Sequence, residues 1–348
     1  MVGTRNVAVT AWIAGAAATV AIVVGAPRPA AHTKTTQVTW TADVEPIVAS
    51  RCVGCHRPDG FGSPSLVSYA DAKPWASAIR DEVLSGRMPP WPAVEGFGSF
   101  SNDARLSAVE IELLARWAEG GAPLGPEVAR IRDTPRLDAS QSTLRLELPP
   151  VDVDGASTKR IFVTTGGDGE RWITGWELQP GTASLLEQAE VTIEPDTLLG
   201  TWTPLDPRIQ FPPGLAQRLP AASRLAVALR YRKSSEPRDD HSSLVLRVGS
   251  RPRHELRHRS FECGSHRVER DMQVVAINPR AQAAGDSIEV VAYGRDGVVE
   301  PLSVVSRYQP TYPVTYRLRA PIPLERGARV DVRSSSSRCE AMVDYFVP

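Results

Sequence analysis

The hydrophobic period of this chain changes once, and that change limits its fold more than any other feature. Upstream of Gly120 the apolar residues recur at helical spacing. Val44, Ile47 and Val48 share one face of a helix leading to Cys52, and Trp75, Ile79 and Val83 share another, which stops at Gly86. In "LSAVEIELLARWAEGG" the pair Ser107 and Glu110 forms a capping box. Ile111, Leu114 and Trp117 follow at helical spacing, and Gly120-Gly121 with Pro123 beyond ends the helix. After a Gly- and Pro-rich stretch the period becomes two. "TLRLELP" alternates Leu144, Leu146 and Leu148, and "SRLAVALRYR" alternates Leu225, Val227, Leu229 and Tyr231. Asp296-Gly297 marks a hairpin. Eight or more short strands separated by turn signals predict a β-sandwich, or two in series. The expected fold is therefore multidomain, α plus all-β: a small helical domain, a linker, and two β-sandwich, jelly-roll-like domains.

The 348 residues allow two or three domains, and 42% hydrophobic content supports real cores. The formal net charge is zero, which points to neither nucleic acid nor an anionic membrane surface as a partner. Val7 to Ala26 is one apolar run of twenty residues preceded by Arg5. It reads as an export signal and is also long enough to span a bilayer. The mature protein is then either secreted or held by one N-terminal anchor, with its folded part in the periplasm or cell envelope.

Cys52-Val53-Gly54-Cys55-His56 has the spacing of a c-type haem attachment site. Thioethers from Cys52 and Cys55 would tether the group, and His56 stands where an axial iron ligand belongs. A zinc half-site is the alternative reading of the cysteine pair. The chain has four methionines, Met1, Met88, Met272 and Met342. Only Met88 lies in the helical part, in "SGRMPPWP", where two prolines stiffen the loop after a helix end. A thioether held there suits a sixth ligand, and His/Met ligation raises the haem potential. It also leaves no open position on the iron, which favours electron transfer. The alternative is a methionine buried in the core. Cys263 and Cys339 remain, and in an oxidising compartment a disulfide between them is expected.

"GRMPPW" followed by "GFGSFSNDARLSAVEIELLARWAEGGAPLG" resembles a cytochrome c domain of exported bacterial proteins, over about Trp40 to Gly125. The resemblance implies one covalent haem c with His56 and Met88 as axial ligands. The remainder resembles the copper type II, ascorbate-dependent monooxygenases of the peptidylglycine-hydroxylating type. It does so through "GWELQPGTASLLEQAEVTIEP", "FPPGLAQRLPAASRLAVALRYRKS", "VVAINPRAQAAGDSIEVVAYGRDGVVEPLSVV" and "SRCEAMVDYFV". That family has two β-sandwiches with one copper each. This chain departs from it at the ligands. Glu187-Gln188 stand for a His-His pair, Arg230 for a strand histidine, and Arg280 and Gln282 for His-x-His. Only Met342 fits a ligand position. Guanidinium cannot deprotonate to bind a cation, so no copper is expected, and Met342 is expected in the core. A cleft between the sandwiches would carry a guanidinium lining suited to carboxylates.

"HELRH" at His254 to His258 matches a zinc-protease pattern that requires a helix. Its flanks lack helical periodicity, so it is read as an arginine-rich connection with two ordinary surface histidines. His32, His241 and His266 are read as solvated. The expected organisation is a signal or anchor at 1–31, a cytochrome c domain at 38–126, a linker at 127–142, and sandwiches at 143–252 and 253–348. The expected function is one-electron transfer by an exported monohaem cytochrome, with no catalytic residues and a non-catalytic tail as docking module. Its partner would be a redox protein of the cell envelope, with no nucleic acid, and with the membrane touched only through the possible N-terminal anchor. The alternative is a haem-fed copper monooxygenase.

Overall fold

The computed structural model describes residues 37–127 and 142–348. The apolar N-terminal run and most of the 127–142 linker lie outside the described residues. Among the described residues no helix is long and apolar enough to cross a membrane. The protein is mostly antiparallel β-sheet, in several sheets, with a few short helices before it.

A turn of π-helix, Trp40–Val44, runs directly into the helix Glu45–Arg51, whose Pro46 sits in the first turn where its missing N–H costs nothing. The helix Ala108–Glu119 starts on the expected capping box, with Ser107 and Glu110 bonded reciprocally. Its Leu114 and Trp117 are fully buried, and the Trp117 ring lies 5.6 Å from that of Trp40. Two details differ from the sequence reading. Ser68 and Asp71 form a second capping box, on the short helix Tyr69–Ala72. Trp75 does not join Ile79 and Val83 on a buried face. It lies in the 3-10 turn Lys73–Trp75, 46% exposed, because Pro74 interrupts the helical ladder and the helix proper runs Ala76–Leu84.

The first β region has two main sheets around one apolar core. One sheet orders Ser142–Glu147, Ser243–Gly249, Arg171–Gln179, Leu215–Leu219 and His254–Glu255, with Arg208–Gln210 paired to Arg171–Gln179. The other orders Ser157–Thr164, Arg224–Tyr231, Leu186–Ile193 and Thr197–Trp202. Leu225, Val227, Leu229 and Tyr231 alternate inward as expected and meet Trp176 and Leu246 from the first sheet. His254–Glu255 pairs in parallel with Leu215–Leu219, so this sheet extends past residue 252.

The second β region also has two sheets on one core. Arg257–Glu262, Cys339–Phe346, Met272–Ala281 and Tyr316–Leu324 form one. Gly264–Arg267, Arg329–Ser334, Ile288–Tyr293 and Val299–Val305 form the other. Cys263, where the chain crosses between the sheets, is disulfide-bonded to Cys339 as expected. Asp296-Gly297 turns the hairpin between Ile288–Tyr293 and Val299–Val305.

Residues 92–102, expected in the helical domain, are stitched onto this second region. Val94 and Ser306 bond to Val304 and Pro92, while Ser101 and Arg319 bond to Arg317 and Ser99. Ala93 bridges to Val305 and Phe100 to Leu318, so one segment covers an edge strand of each sheet. Ala93 and Phe100 are buried in that core, with Trp91 packed on Tyr316.

Candidate functional site

The helix Glu45–Arg51 ends on Cys52, whose N–H donates to the Val48 carbonyl at 2.9 Å. The chain then curls, with the Cys55 and His56 N–H groups both donating to the Cys52 carbonyl at 3.1 and 2.9 Å. Both thiols are free. The loop closes back on the histidine. Gly62 N–H donates to the Cys55 carbonyl, and Leu66 N–H to the His56 carbonyl. His56 Nδ1 lies 2.8 Å from the Pro64 carbonyl oxygen. A carbonyl only accepts, so Nδ1 carries the proton and Nε2 keeps its lone pair, the tautomer a metal-ligating imidazole needs. A Cβ at Gly62 would stand 3.1 Å from His56 Cε1 and Nε2, so glycine there leaves the ring face clear.

The thiols are chemically quiet. Burial, then the neighbouring Cys55, pushes Cys52 up to about 11, and burial raises Cys55. Dithiol redox pairs depend on a thiol lowered toward neutrality, the opposite of what stands here. Cys55 Sγ makes a weak contact of 3.5 Å with the Pro204 carbonyl of the first β region. Among the described residues no group of three or more His, Cys, Asp or Glu side chains is arranged to hold a metal ion.

Met88 follows the turn after the helix Ala76–Leu84. Arg87 and Met88 N–H groups both donate to the Glu82 carbonyl, and the Arg87 guanidinium holds the Glu82 carboxylate at 2.8 Å. Met88 is 40% exposed, so its thioether is not consumed by core packing. Among the described residues, three buried donors of this region, Ser65 Oγ, Arg80 Nε and Trp91 Nε1, have no hydrogen-bond partner. Among the described residues, seven of the eleven large apolar side chains that are exposed lie between Val67 and Leu124.

The positions where the resembling family has copper ligands lie on strands of both β regions. Glu187 is buried and pairs with Arg230 at 3.4 Å. Burial pushes its carboxyl up, against the pull of Arg230 and Arg232. Arg230 Nη1 also reaches across to the Pro310 carbonyl at 3.0 Å. Arg280 donates to Glu190 at 2.9 Å, to Thr201 at 2.8 Å and to Asn278 at 3.1 Å. The expected carboxylate-binding lining is thus corrected: Arg230 and Arg280 already hold carboxylates of the first β region. Gln188 is half-buried and Gln282 exposed. Met342 is not in the core either. Ala341, Val343 and Tyr345 point inward, so period two turns Met342 outward. It lines a cavity of ≈ 30 Å³ between the regions, with Thr201, Asn278 and Arg317.

His254 to His258 is extended, not helical. His254 lies in a sheet of the first region, stacked 4.8 Å from Phe346, and His258 lies in a sheet of the second. They are not ordinary surface residues. The His258 side chain is only 8% exposed. Its Nδ1 meets Asp344 at 2.7 Å and its Nε2 meets Gln217 of the first region at 3.2 Å. Gln217 is itself fixed by donating to the Leu198 carbonyl at 2.7 Å. No local signal marked this clamp, because its three parts are far apart in sequence. Of the remaining histidines, His241 is exposed, His266 is half-buried, and His32 lies outside the described residues.

The motif loop touches both β regions. Arg232 stacks its guanidinium 4.6 Å from the Phe61 ring and donates to the Phe61 carbonyl, while Tyr312 meets Phe61 edge-on at 6.4 Å. The turn carrying Pro204 also carries Asp206, which takes both guanidinium arms of Arg317.

No protein-family model and no curated protein matches the chain. Among solved structures it is similar to the major capsid protein P2 from Bacteriophage PM2, at 14% identity and a TM-score of 0.31 over 60% of this chain and 97% of that one. It is also similar to A223, a turret protein in Sulfolobus turreted icosahedral virus, at 10% identity and a TM-score of 0.16 over 58% and 97%. A cupin 2 conserved barrel domain protein from Leptotrichia buccalis gives 10% and 0.16 over 62% and 93%.

Proposed function

We propose that this protein is an exported monohaem c-type cytochrome that transfers single electrons, its helical part carrying the haem and its β part a non-catalytic docking scaffold. The β part is read as two jelly-roll-like sandwiches related to the copper monooxygenases, with their metal sites given up. The observation that carries the reading is the His56 Nδ1 bond to the Pro64 carbonyl, which aims a lone pair from the residue directly after two unbonded cysteines. In this reading Cys52 and Cys55 would hold the group by thioethers, and His56 Nε2 and Met88 Sδ would be the side-chain atoms offered to its iron. A haem c held there supplies one reversible electron between ferric and ferrous iron. Arg80 and Trp91 offer unpartnered donors of the kind that carboxylate groups take up. The Arg230–Glu187 and Arg280–Glu190 pairs support a tail without copper, since both guanidiniums are fixed in charge and already engaged.

The test is metal and haem analysis of the exported protein, with spectra in both oxidation states. One covalent haem and iron without stoichiometric copper are expected. Met88→Ala is expected to remove the sulfur-to-iron charge-transfer band and to lower the potential. No covalent haem in protein exported alongside a functional haem-attachment system would overturn the reading. So would ascorbate-dependent peptide hydroxylation with two coppers per chain.

A further inference from the structure

The zero net charge of the whole chain conceals a strongly basic groove at one end of the second β region. The groove measures ≈ 940 Å³ and is lined by Arg259, His266, Arg267, Arg295 and Arg326, with Glu269 as its one carboxylate. The arginines come from separate parts of the fold. Arg259 lies on the strand Arg257–Glu262 and Arg267 ends the strand Gly264–Arg267. Arg295 stands in the Asp296-Gly297 hairpin turn, and Arg326 in the turn before the strand Arg329–Ser334.

The backbone holds these turns together. Gly327 N–H donates to the Val268 carbonyl and Val268 N–H to the Ala328 carbonyl, each at 2.8 Å. Arg326 N–H donates to Asp271 at 2.7 Å. Gly327 adopts φ +93°, which glycine tolerates, and the Arg295 stem passes 3.5 Å from where its Cβ would be. His266 Nε2 lies 2.8 Å from the Glu262 carbonyl.

Glu269, Asp331 and Asp296 each have a partner other than Arg267, Arg295 and Arg326. Glu269 pairs with Arg259 at 3.5 Å. Asp331 is buried and committed to Arg329, Arg333 and Ser265. Asp296 caps its own turn through Val298 N–H. Among the described residues Arg267, Arg295 and Arg326 therefore form no ion pair. Three guanidiniums gathered around one groove, none of them ion-paired, repel one another, and a bound anion relieves that repulsion. Guanidinium presents its N–H groups in a planar fork that matches the oxygens of phosphate, two bonds at a time. Several such forks around one groove suit more than one phosphate group.

We propose that this arginine groove is a binding site for a multiply charged phosphate ligand, borne on a lipid headgroup or on a soluble polyphosphate. The proposal is independent of the haem reading, since the groove shares no residue with the Cys52–His56 junction.

The experiment uses the full exported protein. Calorimetry at low ionic strength measures inorganic tripolyphosphate, and co-sedimentation measures vesicles of phosphatidylcholine with cardiolipin, whose headgroup carries two phosphates, against vesicles of phosphatidylcholine alone. The combined variant Arg267→Gln, Arg295→Gln, Arg326→Gln changes only exposed side chains, and retention of the Cys263–Cys339 cross-link and of the sheet signal in circular dichroism certifies its fold. The control is Arg145→Gln with Arg208→Gln, on the first β region. Wild type and control are expected to bind, and the triple variant to bind at least about tenfold more weakly. Cardiolipin vesicles bound together with tripolyphosphate, or bound alone, assign the ligand to a lipid headgroup, and tripolyphosphate bound alone assigns it to a soluble anion. Absence of both, or binding that survives in the triple variant, overturns the proposal.

Discussion

The two β regions meet the same packing requirement with different material. The first closes its core almost entirely from its own residues, with Trp176, Leu186, Leu219 and Leu229 at the centre and, among the described residues, Leu256, Val275 and Phe346 contributed from beyond. The second is finished by residues from far upstream. Ala93 and Phe100 enter its core on a segment that also covers an edge of each of its sheets. It alone carries a disulfide. The difference means that the second region and the helical part share a structural element, whereas the first region meets the helical part only through side chains and one turn. A change in the second core therefore reaches the Met88 loop through three residues of chain, and a change in the first core does not.

The sharpest way to break this comparison is the disulfide. The bond closes a loop with a sequence separation of 76. In the chain-entropy model its removal costs about 4 kcal/mol. Cys263→Ser with Cys339→Ser is expected to lower the unfolding midpoint of the second region while leaving that of the first in place. Coincident loss of both regions would show them to be one cooperative unit, and an unchanged midpoint would show the cross-link to be energetically idle.

A smaller effect is expected from the borrowed segment. Phe100→Ala should cost about 3 kcal/mol, the low end for a buried aromatic, because a segment anchored at two edges can settle into part of the space. Amide exchange should then rise at Val94, Ser101, Ser306 and Arg319 together. Phe211→Ala, in the first core, is the matched control and should leave those four amides protected. Equal responses in the two variants would erase the asymmetry between the regions.

The smallest effect lies in the helical part alone. Burial pushes the Glu110 carboxyl up, but the Ser107 N–H, the Ser107 hydroxyl and Arg51 outweigh it, so the group titrates below the usual carboxylate range. A depressed carboxylate contributes stability above its unfolded pKa and loses it as pH falls through its folded one. Glu110→Gln is expected to cost about 1 kcal/mol at neutral pH and progressively less on acidification below about pH 4. A pH-independent difference between variant and wild type would assign the cap to shape alone.

The parts that were legible in advance depend on residues close together in sequence. The capping box at Ser107, the alternation of Leu225 to Tyr231 and the Asp296-Gly297 turn each act over a few residues, where backbone propensity and side-chain reach decide the outcome. Trp75 failed because one proline moved the helix start past it. Met342 failed because its burial depended on which face of a strand met the neighbouring region. The histidines of "HELRH" failed as surface residues because neither their sheets nor their partners are local.

The chain by itself determined the change from helix to strand and the pair of cysteines available for a disulfide. These follow from periodicity, capping and composition within short windows. Only the tertiary structure decided that His56 points its proton at Pro64, that Arg280 spends its charge on Glu190, and that His258 joins Gln217 to Asp344. It also decided that Arg267, Arg295 and Arg326 gather around one groove whose carboxylate, Glu269, pairs with Arg259. The physical reason is that a charge or a lone pair acquires its meaning from its neighbours, and in a fold built of crossing sheets those neighbours arrive from distant parts of the chain.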